Sequence, residues 1–255
     1  MTRHLGFESL DAPFLSIVVP AFNEESRIGS SLDRLRQYLG SRERSWEIVV
    51  VDDGSSDGTT GIVEAQSAED SRIRLVRAVH GGKGAAVRRG MAEAKGEWRF
   101  LCDADLSMPP EELDRFFSGP GGMPNYDISI GSREAAGARR LEEPWSRHFL
   151  GRVYNWTVKL VALRGIEDTQ CGFKLYSAEA ARLVFPAQRS QGFGFDVENL
   201  FIARKAGFSI GEVPIDWQYY QGGKVTLGSS ILAYLDIFRV RINSLFGRYR
   251  IARRK

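Results

Sequence analysis

Glu47-Ile48-Val49-Val50-Val51-Asp52-Asp53-Gly54-Ser55-Ser56 is the stretch that decides the fold class. Its apolar residues do not alternate with polar ones, and an unbroken run suits a strand covered on both faces inside a parallel sheet. Upstream, Leu15-Ser16-Ile17-Val18-Val19 is a second β-rich run, stopped at Pro20, and Ile28, Leu32, Leu35 and Leu39 recur at helical spacing, which predicts a helix over 24–39. Downstream, the pattern predicts a helix over 57–68 and a strand over 73–76. His80-Gly81-Gly82-Lys83-Gly84 then precedes a helix carrying Ala86, Val87, Met91 and Ala94. A strand over 98–102 runs into Asp103-Ala104-Asp105, Pro109-Pro110 opens a helix at its first turn, and 127–131 reads as a fifth strand. This βαβα order implies a mainly parallel sheet with right-handed crossovers. Such sheets bind ligands at the carboxyl ends of their strands. Those ends carry Asn23 and Glu24, Asp52 and Asp53, Asp103 and Asp105, and Arg133.

Beyond Arg133 the pattern changes. Trp145, Phe149, Val153, Trp156, Leu160 and Leu163 recur at three- and four-residue steps, predicting a helix over 144–164 bordered by Arg152, Lys159 and Arg164. A polar loop over 168–174, helices from Ala178 and over 196–206, and a strand over 210–217 follow. After a turn at Gly222-Gly223-Lys224, a last helix aligns Ile231, Leu235, Phe238, Ile242 and Leu245 on one face. The organisation reads as a flexible segment over 1–14, one α/β domain over 15–227 and a basic amphipathic helix and tail over 228–255.

The 255 residues, 43% hydrophobic and 26% charged, suffice for one well-packed domain and exclude wholesale disorder. A net charge of +3 does not argue for nucleic acid, and none is expected as a partner. From Ile237 onward, however, the chain holds Arg239, Arg241, Arg248, Arg250, Arg253, Arg254 and Lys255 and no acidic residue, which would attract an anionic surface. Cys102 and Cys171 lack metal-ligand spacing and read as reduced thiols. The first 14 residues contain no apolar signal-peptide core, and no run approaches the ~18–20 apolar residues that span a bilayer.

Asp103 and Asp105, one residue apart at a strand end, would point the same way if extended, and their oxygens suit Mg²⁺ or Mn²⁺. The competing reading is a pair that caps the helix near Pro110. Either Asp52 or Asp53 is placed to accept hydrogen bonds from a base or ribose, with Asp57 as a helix N-cap. Gly81-Gly82-Lys83-Gly84 offers backbone N–H groups and an ammonium to a diphosphate, although it is not a Walker loop. The first strand end lacks Gly-x-Gly-x-x-Gly, which counts against an NAD or FAD enzyme.

These segments together carry a resemblance. Val18 to Glu24, Val51 to Ser55, Gly82-Lys83-Gly84, Asp103-Ala104-Asp105-Leu106-Ser107 and Gly131-Ser132-Arg133 resemble glycosyltransferase family 2, whose fold is GT-A. Asp168 to Lys174, Gly194 to Glu198 and Glu212-Val213-Pro214 resemble its dolichyl-phosphate β-glucosyltransferase branch, near the polyprenyl-phosphate mannose synthases. The resemblance implies inverting transfer of glucose from UDP-glucose to a polyprenyl phosphate. It places Pro20, Phe22, Asn23, Glu24, Asp52, Asp53, Gly54, Lys83 and Ala104 around the nucleotide sugar, and Asp103 and Asp105 on the divalent cation. Arg133, Arg147, Lys174 and Lys224 are assigned to the acceptor phosphate. Asp168 matches a position considered as a catalytic base, with orientation of Arg or Lys side chains as the alternative.

Ser107 stands where mannose-synthase relatives often carry Gln, as in the glucosyltransferase branch. The resemblance also implies work at the cytoplasmic face of a membrane, here by peripheral contact through the two amphipathic stripes. The same stripes also suit packing on the core or on a second subunit, so a homo-oligomer stays open. The rival enzyme reading transfers another hexose or uses a soluble sugar acceptor, and the non-enzyme rival is an inactive nucleotide-sugar-binding adaptor.

Overall fold

The computed structural model describes residues 12–141, 145–218 and 227–249, the side chains of 141–150 and 227–231 excepted. Four strands, β1 (Leu15–Ala21), β2 (Trp46–Asp52), β3 (Ile73–Arg77) and β4 (Trp98–Leu101), form the parallel half of a seven-stranded sheet in the order β3-β2-β1-β4. All seven residues of β2 are buried, as its unbroken apolar run requires. Side-chain alternation splits that run between two layers. Ile48 and Val50 join the core with Ile28, Leu32 and Val63, from α1 (Ile28–Gly40) and α2 (Thr59–Glu69). Val49 and Val51 meet Ala86 of α3 (Lys83–Glu93). Helix α3 lies so close that a Cβ on Gly90 would stand 2.4 Å from Val18 Cγ1, which only glycine avoids.

The second half of the sheet departs from the sequence pattern. Between β4 and β5 (Ile128–Ser132) lies β7 (Lys174–Ser177), antiparallel to both, and β8 (Ile210–Pro214) extends the sheet parallel to β5. The sheet is therefore mainly, not wholly, parallel. Strand β7 has four residues and begins with a lysine, so it shows no periodicity to read. The strand expected over 210–217 breaks at Ile215, and its second piece, β9 (Asp216–Gln218), pairs in parallel with β6 (Arg139–Leu141). Helix α1 starts at Ile28 instead of Glu24, after a turn in which the Glu24 carbonyl accepts from the Arg27 and Ile28 N–H groups and Arg27 leaves helical geometry at a φ of −135°. The helix expected after Pro109 is a 3₁₀ helix, Pro110–Phe117.

Helices α4 (Trp145–Val161), α5 (Ala178–Val184), α6 (Phe195–Ala206) and α7 (Leu227–Leu245) complete the fold, and α7 packs on α4 and α6. The expected apolar stripes of α4 and α7 face mostly away from the core, although Leu163, just past α4, is fully buried. Val153, Trp156 and Leu160 of α4 are exposed, as are Leu235, Phe238, Ile242 and Leu245 of α7. The core is met instead by Tyr154 and Val158 and by Ala233, Ile237 and Val240. Trp145, Phe149 and Ile231 lie outside the described side chains. Most of the 1–14 segment is also outside the description, but Pro13 and Phe14 carbonyls accept from Glu97 and Trp98, so chain pairing begins before Leu15. Among the described residues, no helix is long and apolar enough to cross a membrane.

Candidate active site

The carboxyl ends of β1, β2, β4 and β5 bring most of the expected residues to one edge of the sheet. Asp52 and Asp53 close β2, and both are buried. Asp53 Oδ1 and Oδ2 accept from the Gly81 and Gly82 N–H groups at 2.9 Å each, and His80 Nδ1 lies 2.9 Å from Oδ2. Asp53 is thus the anchor of the glycine loop, and its side chain is not open to a base. Asp52 holds longer bonds, from Ser55 N–H at 3.2 Å and Thr60 Oγ1 at 3.3 Å. Gly54 turns at a φ of +76°, and a Cβ there would stand 3.0 Å from the His80 nitrogen.

Phe22, at the end of β1, stacks on His80 with ring centroids 4.4 Å apart, while Pro20 is half-buried beside it in sequence. Asn23 and Glu24 have structural duties. Asn23 Oδ1 accepts from Ser56 N–H at 2.8 Å, and Glu24 pairs with Arg27 at 2.8 Å. Asp57 lies one residue before the α2 N-cap, yet its carboxylate still accepts from Thr59 N–H at 3.0 Å.

Lys83 begins α3 and reaches across to Asp103 Oδ1 at 2.7 Å, both side chains about one quarter exposed. Burial by itself lowers the Lys83 pKa, but the carboxylates of Asp103, Asp196 and Asp105 outweigh it, and the net shift is upward. The ammonium therefore stays charged. The loop's amides are another matter. Gly81 and Gly82 donate to Asp53, and Gly84 and Ala85 donate to the Gln191 carbonyl at 2.7 and 3.2 Å. The expected backbone cradle for a diphosphate is thus already engaged, leaving the Lys83 side chain as the loop's evident contribution.

Asp103 and Asp105 stand in a turn, with Leu106 N–H donating to the Asp103 carbonyl and Leu106 at a φ of +48°. They are not extended, as their spacing had implied. Neither caps the helix at Pro110, since Asp105 Oδ1 accepts from Ser107 N–H at 3.0 Å. Ala104 is buried between them, its carbonyl accepting from Ser31 Oγ at 2.6 Å. A Cβ on Gly172 would lie 1.9 Å from Asp103 Oδ2, so only glycine leaves room for that carboxylate. Among the described residues, no group of three or more His, Cys, Asp or Glu side chains forms a metal cage. Two carboxylates in a partly open turn still fit a hard cation that takes its remaining oxygens from water and substrate phosphates.

At the other end of the edge, Arg133 forks onto Asp168, with Nε to Oδ2 at 2.6 Å and a terminal nitrogen to Oδ1 at 2.9 Å. The Arg133 N–H adds a third bond at 3.1 Å, and its guanidinium lies over Trp217 at 5.2 Å. Asp168 is fully buried. Burial alone would raise its pKa, but Arg133 overrides it and brings the pKa down to about 2. A carboxylate so held is a poor proton acceptor, and its bonds fix the Arg133 guanidinium, as the orientation reading expects. Lys174 is corrected. Its ammonium is fully buried and donates to Asp196 and the Cys171 carbonyl, which removes it from the acceptor set. Burial lifts the Asp196 carboxyl above its ordinary pKa, against the pull of Lys174 and Lys83. The Arg147 side chain and Lys224 lie outside the described residues.

Several contributors had no local signal. His80 was legible only as part of a glycine loop. Glu212 accepts from Asp168 N–H at 3.0 Å, and Glu198 accepts from the Arg189 and Ser190 N–H groups, on the loop that caps α3. Asp196, Glu198 and Glu212 appeared in the sequence only inside quoted motifs. Cys102 and Cys171 are buried free thiols. Burial drives the first well up and the second up to about 12, so neither is a nucleophile at neutral pH.

Residues 16–185 match the family model described as Glycosyl transferase family 2. A dolichyl-phosphate beta-glucosyltransferase of Trichomonas vaginalis is 36% identical over 239 residues, covering 90% of this chain and 71% of the relative. The chain belongs to glycosyl transferase family 2. Dolichyl-phosphate beta-glucosyltransferases from Dictyostelium discoideum and Homo sapiens are 34% and 32% identical, covering 95% and 93% of this chain and 78% of each relative. Glucosyl-3-phosphoglycerate synthase from Mycobacterium tuberculosis, solved with UDP, superposes with a TM-score of 0.65 at 20% identity over 94% of this chain and 81% of that one. That likeness establishes the shared fold. The family makes this chain a glycosyltransferase, and the strand ends described above are its candidate catalytic edge.

Proposed function

We propose that the chain transfers glucose from UDP-glucose to a polyprenyl phosphate of the dolichyl type, with inversion, at a membrane surface. The observation that carries this reading is the Arg133–Asp168 pair, which offers a fixed cation where a hydroxyl acceptor would need a base. A phosphate monoester has a second pKa of about 6 and attacks without first losing a proton. The likeness to dolichyl-phosphate beta-glucosyltransferases supports glucose and dolichyl phosphate as the transferred sugar and acceptor.

In this reading the acceptor phosphate sits by Arg133, with Arg147 and Lys224 as further contacts, and Pro20, Phe22 and Asp52 line the uridine. One phosphate oxygen forms the new bond to the anomeric carbon while the bond from that carbon to the UDP oxygen breaks, its electron pair leaving with UDP. Lys83 faces the charge that develops there. Asp103 and Asp105 would hold Mg²⁺ or Mn²⁺, which would supply Lewis-acid neutralisation of the leaving diphosphate. Positioning and charge complementarity then supply the catalysis.

The exposed apolar faces of α4 and α7 support peripheral contact with lipid, and the two free thiols accord with the reducing, cytoplasmic face. The test is a panel of radiolabelled nucleotide sugars offered with short polyprenyl phosphates, plus Mg²⁺, Mn²⁺ or EDTA. Label from UDP-glucose should enter the organic phase in a cation-dependent way. Transfer to a soluble sugar instead, or from GDP-mannose in preference, would sink the assignment.

A further inference from the structure

The far end of α4 holds a feature that the glycosyl-transfer reading does not use. Lys159, Arg164, Arg204 and Arg241, from α4, the residues after it, α6 and α7, line a surface cavity of about 300 Å³ with Leu160, Val161 and Ala162. Three helices and the segment that follows α4 thus send four cations to one concavity. Lys159 pairs with Glu167. The other three pair with no carboxylate among the described residues, and Arg204 donates to the Arg164 carbonyl at 2.6 Å, which holds the wall together. Charges of one sign gathered in a concavity focus a positive potential that draws an anion to it.

The surroundings identify the kind of anion. Trp156 and Leu160 on α4 are each 66% exposed, and Leu245 on α7 is 80% exposed, with Phe238 and Ile242 on the same helix also open. The two helices pack on each other, with Tyr154 and Tyr234 in edge-to-face contact at 4.9 Å. A soluble phosphate has no use for those side chains. A phospholipid does, because its acyl chains meet the apolar stripe while its phosphate meets the cations.

We propose that Lys159, Arg164, Arg204 and Arg241 form a head-group site for an anionic phospholipid, distinct from the sugar-transfer edge. The site deepens the proposed membrane location and rests on it. It also borders the acceptor side, since Lys159 is tied to Glu167, the neighbour of Asp168. Occupation of the cavity would set the height and orientation of the protein on the bilayer, and the apolar stripes would hold it there.

The test measures partition of the full chain onto vesicles of phosphatidylcholine alone and of phosphatidylcholine mixed equally with phosphatidylglycerol, with no sugar nucleotide present. The double variant Arg164→Gln/Arg241→Gln should lose about thirtyfold in partition onto the mixed vesicles, equivalent to about 1 kcal/mol for each arginine. Its partition onto neutral vesicles, its thermal unfolding and its transfer to a short acceptor in detergent should stay at wild-type values. A charge-matched double variant on other helices, Arg36→Gln/Arg89→Gln, should lose far less on the mixed vesicles. Equal losses in the two double variants, or an equal loss on both vesicle types, would overturn the site. So would tight binding of inorganic phosphate that competes with vesicles, because the site would then belong to a soluble anion. Failed glycosyl transfer with vesicle selectivity intact would speak against the proposed reaction and leave this site standing.

Discussion

Lys83–Asp103 and Arg133–Asp168 are both cation–carboxylate pairs on the same edge of the sheet, yet their surroundings differ. The first joins two side chains about one quarter exposed through one short contact of 2.7 Å. The second is a bidentate fork onto a fully buried carboxylate, backed by a main-chain N–H and by Glu212 behind it. A partly solvated single contact can exchange partners when a phosphate or cation arrives. A buried fork cannot, because separating it leaves an uncompensated charge in a low-dielectric setting. One end of the edge is therefore adjustable and the other rigid. This suits a donor whose diphosphate changes charge during transfer, and an acceptor whose phosphate needs only to be held.

The sharpest way to break the comparison is Asp105→Ala. It removes a carboxylate from the adjustable end, and turnover should fall by about 10³-fold while the circular dichroism of the fold is retained. Turnover within a few-fold of wild type would end the cation-site assignment. Asp168→Asn should act mainly on stability, lowering it by about 3 kcal/mol at neutral pH in urea unfolding. The folded pKa of Asp168 is depressed, so its stabilisation is present above the unfolded value near pH 4 and is lost as pH falls toward about 2. The gap between wild type and variant should accordingly narrow by about 2 kcal/mol across that window. A pH-independent gap would mean that the fork is not the source.

Lys83→Met should reverse that profile. Turnover should drop about 10²-fold with a change in stability of about 1 kcal/mol or less, since the pair it breaks is partly solvated. A large stability loss would make the two ends alike and remove the contrast. The smallest effect is expected at Tyr249→Phe. The Tyr249 hydroxyl donates to Glu198 at 2.7 Å, and Glu198 holds the loop whose Gln191 carbonyl caps α3. Losing that bond should cost about 1 kcal/mol of stability and raise KM for UDP-glucose more than it lowers kcat.

How much of this was legible in advance differs along the chain. Strands β1 to β4 follow from short apolar runs and their helices from spacing and flanking turns, because each is read from its own few residues. The Asp103–Asp105 turn was located by the strand that delivers it, although its conformation was not. Strand β7 escaped because four residues beginning with a buried lysine show no period, and Lys174 is tolerable inside only because Asp196 meets it there. The engagement of the loop amides by Asp53 and Gln191 escaped for a related reason, since both partners are distant in sequence.

The sequence by itself determined the parallel half of the sheet, the edge at which its carboxylates collect and the family to which the chain belongs. These depend on local hydrophobic pattern and on short motifs at strand ends. Only the tertiary structure decided that Asp168 clamps Arg133, that Lys174 is sealed in the core, and that most of the apolar stripes of α4 and α7 face outward. Each depends on what long-range packing places beside a side chain. Burial and the nearest opposite charge set that residue's pKa and availability, and neither can be read from its neighbours in the chain.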